Sequence, residues 1–174
     1  MSVDIRTATI EDANDILKIY AYYITNTAIT FEYDVPTIEE FVGRIDNTLK
    51  NYPYLVAIID NQIVGYAYVG PLKKRAAYAR SVELSIYIDR NLRGQGVGGK
   101  LFEMLVGQLK QRGILNLYSC VSYAAAEDEY LTHDSVAFHE YLGFKIVGHY
   151  HKCGYKFNRW YDVVWMEKMI GEHV

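Results

Sequence analysis

Apolar and polar positions along this chain follow two different periods, and the switches between them mark its elements. Residues 3–8 read as a short strand. Ile16, Leu17, Ile19, Tyr20 and Tyr23 then recur at helical spacing, behind Thr9 and Asp12, which stand three residues apart as a capping box. The stretch TAITFEYDVP, residues 27–36, breaks that helix and reads as a loop. Thr37 and Glu40 repeat the capping signal and open a helix that carries Phe41, Ile45 and Leu49. Residues 54–59 and 63–69 are apolar runs joined by Asp60, Asn61 and Gln62, which predicts a hairpin. From 80 to 89 the alternation is that of a strand: Val82, Leu84, Ile86 and Ile88 form one face, and Glu83, Ser85 and Tyr87 form a polar one.

A glycine-rich turn follows, then a helix from about 98 to 112 closed by Gly113 as its C-cap. Residues 114–121 read as a strand, 122–134 as a polar loop, and 135–142 as a short helix. Residues 144–150 and 161–169 are the closing strands. The order β-α-α-β-β-β-α-β-α-β-β predicts an α/β fold, a mixed sheet with helices on its faces, in one domain over residues 1–174.

Composition narrows the function classes. A formal charge of -3 offers no electrostatic basis for a nucleic-acid or anionic-membrane partner. No apolar run approaches the roughly 20 residues that a membrane span needs, and the N-terminus lacks a signal-peptide pattern, so a cytoplasmic location is expected. Cys120 and Cys153 have no metal-ligand spacing around them and read as two packed, reduced thiols; no metal is expected. Seventeen tyrosines are an unusual number, expected mostly at the rim of the core with hydroxyls reaching water.

The chemistry concentrates in LRGQGVGGKL, residues 92–101, where a strand hands over to a helix and unpaired amides make an anion site. Four glycines in six residues, followed by Lys100, exceed what a tight turn requires. Gly94, Gly96 and Gly99 match a dinucleotide fingerprint, yet the acid expected about 20 residues on is missing. Gly94, Gly99 and Lys100 nearly match a phosphate-binding P-loop, but Leu101 replaces the hydroxyl residue that would hold magnesium. Arg93-x-x-Gly96-x-Gly98 instead resembles the coenzyme A pyrophosphate loop of the GNAT superfamily of N-acetyltransferases. Further stretches resemble the phosphinothricin acetyltransferase group within it: FEYD from Phe31, YAYVGP from Tyr66, VELSIYI from Val82, FHEYLGF from Phe138 and GYKFNRWYDV from Gly154.

That resemblance implies an enzyme that moves the acetyl group of acetyl-CoA onto an amine. It implies main-chain pairing of the pantetheine arm with Ile86, Tyr87 and Ile88, and a pyrophosphate held by Arg93, Gly94, Gln95, Gly96, Val97, Gly98, Gly99 and Lys100. Thr132 and Ser135 are implied further along the arm. Glu83 and His139 are the implied proton carriers, with the division into base and acid left open; both residue types exchange protons near neutral pH when burial tunes them. Phe31, Lys73, Lys74, Arg75 and Tyr78 are the implied acceptor site, whose cations suit the carboxylate or phosphinate of an amino-acid-like molecule. A homodimer is implied as well.

Two alternatives accompany that reading. The loop before Ser135 is about seven residues longer than in relatives and acidic at Glu127, Asp128 and Glu129, so it could offer a groove to a basic peptide; the acceptor would then be a protein N-terminus or lysine. A coenzyme A sensor without chemistry would not retain both Glu83 and His139.

Overall fold

A computed structural model describes residues 2–174. The two capping boxes set where the first helices begin. The Asp12 carboxylate accepts the Thr9 N–H at 2.8 Å, closing a single 3-10 turn at Ile10–Asp12 before helix α1, Ala13–Asn26. Thr37 Oγ1 accepts the Glu40 N–H at 3.2 Å and Glu40 returns the contact at 3.3 Å, opening α2, Ile38–Leu49. Asp60 and Asn61, both at positive φ, make the two-residue turn of the hairpin between β2, Tyr54–Ile59, and β3, Gln62–Pro71. The remaining elements are β1 at Asp4–Thr7, β4 at Ser81–Ile88, α3 at Val97–Gln111, β5 at Asn116–Tyr123, α4 at Asp134–Tyr141, β6 at Lys145–Lys156 and β7 at Arg159–Met169.

The strands form one seven-stranded sheet in the order β1-β2-β3-β4-β5-β7-β6. The β4–β5 pair is parallel and the other five are antiparallel. One face packs on α3, where Leu101, Leu105 and Leu109 meet Val82, Leu84, Leu117 and Met166. The other is covered by α1 and α2, through Ile16, Phe41 and Ile45 against Val56 and Tyr66. Burial on both faces explains the unbroken apolar run of β2: Leu55 and Ala57 serve the first core, Tyr54 and Val56 the second.

Three expectations are corrected. Glu83, Ser85 and Tyr87 do not form a polar face; Tyr87 joins an aromatic layer, stacked on its cross-strand partner Tyr66 at 5.4 Å and met edge-on by Tyr20 at 5.1 Å. Tyr54 stacks on its own cross-strand partner Tyr68 at 4.8 Å; Tyr23, Tyr54, Tyr66 and Tyr161 are buried, while the other tyrosines are half-buried or exposed, in keeping with the rim positions expected of most. β6 runs six residues past the expected end at 150, because Gly148 and the residues after Tyr150 shift register against β7 and hide its alternation. Cys120 and Cys153 are free thiols, as read, but exposed rather than packed. No helix among the described residues is long and apolar enough to cross a membrane.

Candidate active site

β4 and β5 stay in register only from Ser81–Asn116 to Glu83–Tyr118. β4 continues to pair with β3 as far as Ile88, so from Leu84 onward its other edge faces an opening rather than a strand. An extended ligand arm can pair with such an edge as an added strand would. Ile86, Tyr87 and Ile88 line a cleft of about 1100 Å³ there. The Ile88 carbonyl is already engaged by the Tyr23 hydroxyl, which leaves Ile86 and Tyr87 as the freer partners.

The glycine turn forms the far end of this cleft. Gly94 and Gly96 take φ of 76° and 82°, a region that side chains other than glycine's rarely adopt. Gly96 is the N-cap of α3, no side chain caps that helix, and no acid lies in its first turn. The first amides of α3 therefore have no intrahelical partner and attract an anion. Val97, Gly98, Gly99 and Lys100 line the cleft with them, and Arg93 reaches it while bridging to Asp134 at 3.3 Å. A Cβ on Gly98 would stand 2.8 Å from the Phe138 ring, so close packing requires glycine there. The cradle fits a diphosphate with flanking cations.

Between the parted strands lies a smaller cavity of about 60 Å³, sharing Ile29, Ile86, Tyr87 and Ser135 with the larger cleft. His139 lines it. Its Nδ1 donates to the Ser135 carbonyl, 2.7 Å away, one turn back in α4. Burial lowers the imidazole pKa, partly offset by that carbonyl, so the ring is neutral at pH 7 with Nε2 as its free lone pair. Glu83 sits at the last position of β4 that pairs with β5, half-buried; burial raises its pKa, against the nearby charge of Lys73. Ser119 faces the same cavity from β5, and its buried hydroxyl has no hydrogen-bond partner among the described residues. An orphaned donor there fits a polar arm passing between the strands.

Not every expected residue reaches these cavities. Gln95 is exposed in the turn and does not line the cleft. Thr132 is exposed, and its Oγ1 accepts the Asp134 N–H at 3.4 Å, serving the start of α4. Lys73, Lys74, Arg75 and Tyr78 are exposed together on the loop between β3 and β4, with Lys73 within electrostatic reach of Glu83. Phe31 packs on Gly154 and Tyr161 rather than on the cleft wall. Sequence reasoning missed Tyr23, Ile29, Ser119 and Phe138. Tyr23 carried a signal, since it belongs to the helical apolar stripe of α1; the others have none without the topology.

The chain belongs to the GNAT acetyltransferase family: residues 5–165 match its acetyltransferase (GNAT) domain. It is therefore an enzyme of the acetyltransferase class. It is 30% identical to a phosphinothricin N-acetyltransferase of Streptomyces viridochromogenes, over 92% of this chain and 84% of that one. It is 30% identical to the L-methionine sulfoximine/L-methionine sulfone acetyltransferase of Pseudomonas aeruginosa, over 96% and 94%. The crystal structure of a GNAT superfamily phosphinothricin acetyltransferase from Sinorhizobium meliloti, in complex with acetyl-CoA, superposes with a TM-score of 0.89 at 31% identity, covering 98% of this chain and 90% of that one.

Proposed function

We propose that this enzyme transfers the acetyl group of acetyl-CoA to the amino group of a small amino-acid-like acceptor, of the phosphinothricin or methionine sulfone/sulfoximine type. The observation that carries the reading is the parting of β4 from β5 just beyond Glu83, with His139 lining the gap and its Nδ1 held by the Ser135 carbonyl. The names of the relatives point to the same acceptor class. Arg93, Lys100 and the amides of Val97, Gly98 and Gly99 would hold the pyrophosphate, Ile86 and Tyr87 the arm. Acetyl-CoA brings an activated thioester; the chain brings position and proton carriers.

Acetylation removes two protons from an ammonium, one released to solvent and one delivered to the departing thiolate. Glu83, its affinity for protons raised by burial, takes the first and frees the amine lone pair. His139 Nε2, neutral before reaction, takes the second as the amine attacks and hands it to the sulfur. The ring then returns to its starting state. Lys73, Lys74 and Arg75 would pair with the acceptor's carboxylate or phosphinate, with Tyr78 beside them.

The longer acidic loop speaks against a peptide groove, because its acids are already engaged. Arg159 bridges Asp128 and Glu129, each at 3.0 Å. The Tyr161 hydroxyl donates to Asp128 at 2.8 Å, and Glu127 accepts the His133 N–H at 2.8 Å. We further propose a cytoplasmic homodimer; Tyr33, Tyr155 and Trp160 stand exposed as an aromatic patch that a second copy would cover. The test is mass-spectrometric detection of acetylated product across free amino acids, methionine sulfone, phosphinothricin and basic peptides. Product from the sulfone or phosphinothricin is expected; product from peptides alone would overturn the reading.

A further inference from the structure

On the outer part of the sheet, away from the cleft, β6 interrupts its ladder with β7. Tyr150 pairs with Val163 and Gly154 with Tyr161, so His151, Lys152 and Cys153 stand opposite Asp162 alone. Lys152 bends the chain there with a φ of 48°. Its N–H donates to Asp162 Oδ1 at 2.7 Å, and this orients the carboxylate so that Oδ2 meets His149 Nε2 at 2.7 Å. The His151 ring stacks on that of His149 with centroids 4.1 Å apart and planes 18° from parallel. One ligand atom from each of the three side chains lies within 4.8 Å of the other two. Both histidines are exposed and Asp162 is half-buried.

We propose that His149, His151 and Asp162 bind a divalent transition-metal ion of borderline softness, such as zinc, in a site open to solvent. Two imidazoles and a carboxylate are a nitrogen-rich donor set that suits zinc and discriminates against magnesium and calcium, which prefer all-oxygen shells. Bonds of about 2.1 Å place tetrahedral ligand atoms roughly 3.4 Å apart. The three groups reach that spacing by turning side chains, chiefly His151, which makes no hydrogen bond among the described residues. Zinc then enters between His149 and Asp162, replacing their direct contact. The Lys152 N–H on the other carboxylate oxygen is the kind of supporting contact that fixes a metal-bound carboxylate in orientation. The remaining coordination positions stay with water. The ion takes no part in acetyl transfer, since its ligands line neither cavity of the active site.

Without a metal the same residues would only staple the bulge, through Asp162 to Lys152 and His149. His151 separates the two roles because it lies outside that staple. The experiment is calorimetric titration of zinc chloride into the full chain after EDTA treatment, for wild type and His151→Ala, with melting temperatures measured in the absence of zinc. The expected result is one zinc per chain with micromolar affinity, weakened at least tenfold in His151→Ala, whose metal-free melting temperature matches wild type. Two results would overturn the proposal: no saturable binding by the wild type, or equal binding by His151→Ala, which would place the zinc elsewhere, for instance on the exposed Cys153 thiol.

Discussion

His139 and Ser135 are locked together one helical turn apart, the imidazole Nδ1–H donating to the Ser135 carbonyl at 2.7 Å. The bond selects the tautomer whose Nε2 lone pair is free, and burial keeps the ring neutral by lowering its pKa. The folded state thus binds this proton less tightly than the unfolded chain. The stability contribution is full above the unfolded value of about 6.5 and is lost as pH falls below it. Calorimetric melting temperatures should fall more steeply between pH 7 and 5 for wild type than for His139→Phe. The acid limb of kcat/KM should begin below about pH 6.5. An acid limb that starts above pH 7 in wild type and is lost in His139→Phe would show that the ring is charged at rest.

Gly98 tests the close packing of the cradle. Its added Cβ would meet the Phe138 ring at 2.8 Å, and Phe138 lines the larger cleft. Gly98→Ala should displace that ring and raise the KM for acetyl-CoA about tenfold, or ~1.4 kcal/mol, with the acceptor KM little changed. Equal KM values for acetyl-CoA in variant and wild type would count against the turn as the cofactor's anchor.

Lys156 is buried, and its ammonium donates to the carbonyls of Ile24, Thr27 and Thr30 at 2.7, 2.8 and 2.8 Å. These bonds close the C-terminal end of α1 and hold the loop that carries Ile29 into both cavities. Lys156→Met keeps the stem but leaves three carbonyls without their donor, at a cost of about 3 kcal/mol. Denaturant unfolding should report that loss, and acetyl transfer should weaken with it. A change below about 0.5 kcal/mol would show that water replaces the ammonium at no cost.

Features set by neighbours in the chain were legible before the structure. The Thr9 and Thr37 capping boxes, the Asp60-Asn61 turn and Gly113, at φ 74°, all act within a few residues of themselves. The glycine turn was legible because a chain that takes positive φ at Gly94 and Gly96 leaves a mark in composition. Features that depend on register were not. Nothing local to Ser119 says that it faces a gap between parted strands, and nothing near His149 says that Asp162 reaches it across a bulge. The aromatic layer escaped for the same reason: Tyr54–Tyr68 and Tyr66–Tyr87 are pairs only once the strands are aligned. Gly154 is a further case, since its lack of a side chain makes room for the Phe31 ring, which a Cβ would approach to 2.1 Å.

The central claim is that Glu83 takes the proton from the acceptor ammonium. Glu83→Gln keeps the size and polarity of the side chain and removes its basic oxygen. Steady-state turnover with acetyl-CoA and methionine sulfone, alongside calorimetric affinity for acetyl-CoA, tests it most directly. The account predicts a kcat lowered 10²–10⁴-fold, about 3–5 kcal/mol of barrier, with cofactor affinity unchanged because Glu83 lies outside the cofactor cleft. Turnover equal to wild type in Glu83→Gln would contradict it.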